Sequence, residues 1–344
     1  MFRAPISAGS VVLAAAILLA PADEALQAAQ QLPSFSVVRG IGAYDEPEEK
    51  VFGEISDLAV GRDGTIFVLD GMSQQVRAFN RRGAYLASIG RPGRGPGEFT
   101  GARAMALDGE GALYVLDERL ARISVLSPDR TLSYQRSVLI DYHATDLCFL
   151  DDRLFLVGRH EGGMIQELSR DGAVLGSFGG LYEGANPLLK ASLSLGFMLC
   201  ASEAQLILAA SPVLPLVRAY APDGDLVWSA TLPGFKETII EERLDGSVRY
   251  NVGPDKKYHM LESLVYLPPG LVLAQAGLHT LGSGSDGEYD AISTWVLSAG
   301  DGSVVSRTDS LPLLKHIGGE YAYGLIAELY PVVAQYRFAR HDGR

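Results

Sequence analysis

Cysteine is scarce in this chain. Only Cys148 and Cys200 occur among 344 residues, which excludes a disulfide-dense scaffold and the clustered cysteines of structural zinc modules. Histidine numbers six, with no HExxH and no other close-spaced pair, so the helix-borne zinc site of metalloproteases is excluded. No Gly-x-Ser-x-Gly elbow is present. The run Gly90–Gly97 has glycines and arginines but lacks the Lys-Ser/Thr ending of a phosphate loop, and Pro92 and Pro96 remove amides that such a cradle uses. Like charges never cluster into a block. Acidic residues outnumber basic ones 41 to 29, for a net charge of −12, which repels phosphate backbones and excludes a nucleic-acid partner. No catalytic set, metal motif or cofactor motif remains.

Long apolar runs are missing too, with one exception. Arg3 precedes the apolar stretch Val11–Ala20, and Ala20-Pro21-Ala22 offers small residues for cleavage before Asp23. Residues 1–22 read as a signal peptide, 23–33 as a short linker and 34–340 as one domain, exported to the periplasm or secreted. At about 10 residues the apolar run is short for a bilayer crossing, and the mature chain has no second candidate span.

What the chain has in abundance is glycine, 39 residues of it, and short apolar runs. Asp63-Gly64-Thr65-Ile66-Phe67-Val68-Leu69-Asp70 is echoed 47 residues later by Glu110-Gly111-Ala112-Leu113-Tyr114-Val115-Leu116-Asp117. Runs of four to six apolar and β-branched residues bounded by Gly, Asp and Pro are strand signals. Each repeat reads as four strands. Further copies follow around Leu154–Val157, Leu206–Ala209 and Leu271–Ala274, and the turns between third and fourth strands recur as Arg82-Gly83, Asp129-Arg130, Asp171-Gly172, Asp223-Gly224 and Asp301-Gly302. In all but the second copy the glycine supplies the positive φ that such hairpins need. A spare strand at Phe35–Val38 precedes the first copy, and the tail supplies strands at Tyr321–Ile326 and Val332–Phe338. Pairing the first onto the last closes a ring and removes two exposed edges. The expected fold is all-β: a six-bladed β-propeller of four-stranded antiparallel blades, closed by the N-terminal strand.

The pattern Ala59-Val60, Asp63-Gly64, Phe67-Val68-Leu69-Asp70, repeated as Ala106-Leu107, Glu110-Gly111, Tyr114-Val115-Leu116-Asp117 and Arg122-Ile123, resembles NHL-repeat six-bladed propellers, as does the linker Gly95-Pro96-Gly97-Glu98-Phe99. The likeness covers roughly residues 53 to 130. That family pairs the Asp with the Arg; the second copy keeps both as Asp117 and Arg122, read as a hairpin salt bridge, whereas the first copy has Gln75 opposite Asp70. Some similar propellers are lactonases with a metal in the channel, but none of their ligands maps onto a residue of this chain.

The register also bears on the cysteines. Cys148 and Cys200 each stand six residues before a leucine that opens an equivalent strand, Leu154 or Leu206. Equivalent positions on sheets packed face to face are about 10 Å apart, beyond the roughly 7 Å limit of a disulfide. Both are therefore read as small buried packing residues, with a disulfide, which the even count in an exported chain suggests, as the second reading.

Loops leading into inner strands, and loops between second and third strands, emerge on one face of the ring. They carry Arg94, Arg103, Arg119, Arg159, His160, Lys257, His259 and His279, which are the candidate ligand-binding residues. The opposite turns are acidic. A basic concave face concentrates small anionic or polar ligands. Residues 230–260 form an insertion between the fourth and fifth copies whose apolar content disfavours disorder. Alternate acids at Asp286, Glu288 and Asp290 fall short of a calcium-loop pattern. The expectation is an exported, non-catalytic propeller that binds a ligand or protein through channel-side loops. The alternative is a metal-dependent lactonase- or lyase-like enzyme built on inner-strand residues such as Asp57, Arg103 and Asp146.

Overall fold

The computed structural model describes residues 32–42, 47–127, 131–180, 186, 189, 193, 195–242, 247–282, 289–327 and 330–339. The proposed leader, most of the linker, Asp286, Glu288 and His341 lie outside the described residues.

Six four-stranded antiparallel sheets follow one another along the chain. Their innermost strands are Ile55–Val60, Ala102–Leu107, His143–Leu150, Phe197–Ala201, Lys257–Leu267 and Leu314–Gly318. Blades 1 to 5 are continuous segments. Blade 6 combines three C-terminal strands with Ser34–Ile41, which pairs antiparallel with Pro331–Ala339 as its outermost strand. Phe35 faces Phe338 and Val37 faces Tyr336 in that register. The ring is thus closed as the sequence pattern implies.

The second strand of a blade is covered on both faces by its neighbours, so its residues need not alternate. Ile66–Asp70, Leu113–Asp117 and Leu206–Ala210 are buried at every position. Between blades 1 and 2, Leu69, Val76 and Ala78 pack with Leu113, Val115 and Leu126. Between blades 4 and 5, Trp228 and Trp295 anchor the largest apolar cluster. The Gly turns take positive φ at Gly83, Gly172, Gly224 and Gly302, and in blade 2, which lacks the glycine, Leu132 does so at 52°.

Within 230–260, Ile239–Glu242 and Val248–Asn251 form a separate two-stranded ribbon. The rest of that span completes blade 4 through Thr231 and begins blade 5 at Lys257. No helix among the described residues is long and apolar enough to cross a membrane.

Two expectations are corrected. Cys148 and Cys200 form a disulfide, with Cα atoms 5.7 Å apart. The 10 Å spacing applies to sheets stacked flat; blades converge on an axis, so their inner strands approach more closely than their centres. Both cysteines also line the central channel and are only partly buried. Secondly, Asp117 and Arg122 are cross-strand neighbours, but Arg122 donates to the carbonyls of Arg94 and Glu98, at 3.1 and 2.6 Å, and makes no ion pair with Asp117. Blade 1 has the ion pair instead: Arg77, two residues beyond Gln75, stands 3.4 Å from Asp70.

Candidate functional site

A channel of about 670 Å³ runs between the inner strands. Its chemistry is set by a repeated local irregularity. In five blades the pairing of first and second strands slips by one residue, near the start of the inner strand in four and at mid-strand in blade 5. The slips fall at Ile55/Asp57, Ala102/Ala104, Ala144/Asp146, Leu261/Ser263 and Leu314/His316. A bulge of this kind leaves one residue unpaired and re-aims its side chain. The unpaired residues are Ser56, Arg103, Thr145, Glu262 and Lys315, and every one lines the channel. Blade 4 pairs without a slip and contributes Gly196 at that level.

The residue after the bulge often clips one blade to the next. Asp57 accepts the amide of Leu58 on Oδ1 at 2.7 Å and that of Met105, in blade 2, on Oδ2 at 2.6 Å. Asp146 repeats the arrangement with Leu147 and with Met198 of blade 4, both at 2.8 Å. Ser263 donates to the Leu314 carbonyl of blade 6 at 2.5 Å. Burial lifts Asp57 from an ordinary 3.8 to about 6; Asp146 rises to about 7, through burial first and the Asp57 charge second. Their backbone hydrogen bonds and the Lys315 charge oppose the rise. Lys315 donates to the Glu262 carbonyl at 2.6 Å, and burial pushes the neighbouring His316 down to about 4.

Two buried carboxylates shape the loops at this mouth. Asp70 accepts the amides of Gly53, Glu54, Met72 and Ser73. Asp117 accepts those of Thr100, Arg119 and Leu120. The loops they hold enclose a side recess of about 330 Å³ lined by Glu54, Ser56, Gly71, Arg103, Glu118 and Arg119. Glycine leaves room at two of its walls, where a larger residue would displace a neighbouring side chain. A Cβ on Gly71 meets Ser56 Oγ at 2.1 Å, and one on Gly101 meets the Arg119 side chain at 2.6 Å.

Of the eight candidate residues, Arg103 lines both channel and recess, and Arg119 lines the recess. Arg103 stands 3.4 Å from Glu118, and His143 stands 3.8 Å from the same carboxylate. The other six are apart. Arg94 and Arg159 are exposed loop and strand-end residues. His160 meets Ser177 at 3.1 Å and the Tyr142 ring. Lys257 pairs with Asp290 at 3.1 Å. His259 is buried against Phe235 and Trp295, accepts the Lys236 amide on Nδ1, and is pushed down to about 4, chiefly by desolvation. His279 stacks on Tyr258 and lies 3.7 Å from Glu262, which itself lines the channel. Glu262 and Lys315 escaped the sequence reading. Nothing in a short segment such as Leu314-Lys315-His316-Ile317-Gly318 marks an inner strand, and bulges have no residue signature. Among the described residues, no three His, Cys, Asp or Glu side chains converge as metal ligands.

No curated protein matches the chain. The DUF5128 family, described as a 6-bladed beta-propeller, matches residues 46–156. Among solved structures, a protein from Bacteroides fragilis NCTC 9343 superposes with a TM-score of 0.59 at 11% identity, over 90% of this chain and 95% of the other. A member of the DUF4221 family from Bacteroides vulgatus ATCC 8482 gives 0.59 and 11%, over 90% and 99%. Virginiamycin B lyase from Staphylococcus aureus gives 0.50 and 10%, over 88% and 99%. At such identities the likeness is one of fold, and by fold this chain is a six-bladed β-propeller.

Proposed function

We propose that this chain is an exported, non-catalytic propeller, related to NHL-repeat propellers, that binds a small polar or anionic ligand, or a protein partner, at the bulged mouth of its channel. The observation that carries the reading is the repeated bulge. Five blades spend a ladder position to turn Ser56, Arg103, Thr145, Glu262 and Lys315 toward one cavity. Thr145 and Lys315 use that position to bond the neighbouring blade, while Ser56, Arg103 and Glu262 present polar groups that a ligand can meet in place of water. Export is supported by the leader-like residues 1–22, and by the Cys148–Cys200 disulfide, which suits an oxidising compartment. The propeller domain then spans residues 34–340 of the mature chain.

The recess between Arg103 and Arg119 is the entry for an anion. Succinate, citrate and inorganic phosphate, titrated into the purified protein by calorimetry, test this. Saturable heat from at least one, lost in an Arg103→Ala/Arg119→Ala variant, is the expected result. Absence of any saturable signal refutes the recess as an anion site.

The second reading, a lactonase- or lyase-like metalloenzyme, is favoured by the deep carboxylates Asp57 and Asp146. Metal analysis and melting with and without a chelator separate the two. Stoichiometric metal whose removal lowers Tm replaces the binding reading with the enzymatic one.

A further inference from the structure

Among the described residues, Asp57 and Asp146 line the channel with no cation at ion-pair distance, as does Glu54 beside them. Arg103 is taken up by Glu118 of the recess, and Glu262 has beside it only His279, an imidazole that is charged only when protonated. Asp70, at the rim, has Arg77. Among the described residues no Lys, Arg or His nitrogen lies within 4 Å of Asp57 or Asp146. Their nearest charge partner, Lys315, acts on both from a distance and gives its hydrogen bond to the Glu262 carbonyl. Two carboxylates share one ammonium, so the ionised channel interior is short of a positive charge. Each carboxylate oxygen accepts one amide and retains a lone pair. A few residues further along the same strands the lining turns apolar, at Val60, Leu107, Phe149 and Leu199.

We infer that the deep channel binds a small organic ammonium with an apolar body, its charged head between Asp57 and Asp146 and its hydrocarbon part against Val60, Leu107, Phe149 and Leu199. The volume, about 670 Å³, falls within the usual range for small-molecule sites. An ammonium supplies the missing charge and two or three donors to carboxylates that have spare acceptor capacity. The apolar length selects an organic cation over a bare metal ion. This site rests on Asp57 and Asp146, which do not line the recess, although Arg103 lines both cavities.

The ionisable groups facing the head come from five blades: Glu54 and Asp57, Arg103, Asp146, Glu262, and Lys315 with His316. Blade 4 contributes no ionisable group to the described lining. Protonation of the two aspartates on acidification removes the attraction, while Lys315 and Arg103 stay cationic, so affinity falls as pH falls.

The test is calorimetric titration of the mature protein with hexylammonium, hexanoate, hexan-1-ol and calcium chloride at pH 8 and pH 4.5. Hexylammonium is expected to bind at least tenfold more tightly than hexanoate or hexanol at pH 8, and at least fivefold more weakly at pH 4.5. Asp57→Asn/Asp146→Asn abolishes that preference. Because the double variant risks the fold, Lys315→Met gives a second readout: removing the competing cation tightens hexylammonium severalfold, a gain that misfolding does not produce. Equal binding of hexanol or hexanoate, binding of calcium but not the amine, no amine binding at millimolar concentration, or no gain in Lys315→Met overturns the inference. Loss of amine binding with retained succinate binding leaves the recess standing, and the reverse leaves the ammonium site standing.

Discussion

Replacing Asp57 with asparagine tests the energetic cost of the channel carboxylates. In the native protein Asp57 titrates near 6; unfolded, it returns to 3.8. The folded state therefore holds the proton more tightly, and stability declines as pH climbs through the interval between those values. A shift of roughly two units corresponds to about 3 kcal/mol in full, of which about 2 kcal/mol accrues between pH 4.5 and pH 8. Part of the side chain still touches the channel, so that figure is an upper value. Asparagine removes the pH-dependent share but offers only one acceptor to the two amides of Leu58 and Met105, a constant loss of about 1–3 kcal/mol. Urea unfolding of wild type and Asp57→Asn at pH 4.5, 6 and 8 separates the parts. The variant is less stable at pH 4.5, and its disadvantage shrinks by up to about 2 kcal/mol by pH 8. A difference between the proteins that is flat with pH, or that widens toward pH 8, refutes the assignment of Asp57 as a carboxylate strained by burial.

Two further outcomes follow from the ring. Cys148→Ser/Cys200→Ser, or reduction of the wild type, opens a loop with a sequence separation of 52. Chain entropy puts the loss at about 4 kcal/mol, readable as an earlier chemical-unfolding midpoint with an unchanged native spectrum. Gly302→Ala places a Cβ 2.5 Å from Trp228 Cε3 at a residue whose φ is 73°. A loss of about 2 kcal/mol or more is expected in denaturant titration, whereas Gly180→Ala, with open space around it, is the matched control and leaves the midpoint in place.

The blades were legible because a strand buried on both faces must be apolar throughout, and that condition writes Ile66–Leu69 and Leu113–Leu116 as uninterrupted runs. Closure was legible from Phe35–Val38, which had no partner within its own repeat. The inner strand of blade 6, Leu314–Gly318, was not, because an edge strand beside a water-filled channel is free to carry Lys315 and His316. The disulfide was hidden for a geometric reason. Spacing along the chain reports which strands are equivalent, but not how far their planes tilt toward an axis. Of the site, Arg103 and Arg119 were placed near the channel by loop order alone. Glu262 and Lys315 depend on one-residue slips in pairing, and pairing is a property of two strands at once.

The join in blade 6 also dictates an order of events. Ser34–Ile41 is made before the five continuous blades and Pro331–Ala339 after them, so the ring stays an open arc until the last strand of blade 6 has emerged. Until then the earliest strand waits with a bare backbone edge. A chain halted before residue 331 has no means of sealing the ring, and its quality can be judged by a single check: whether these two strands have met.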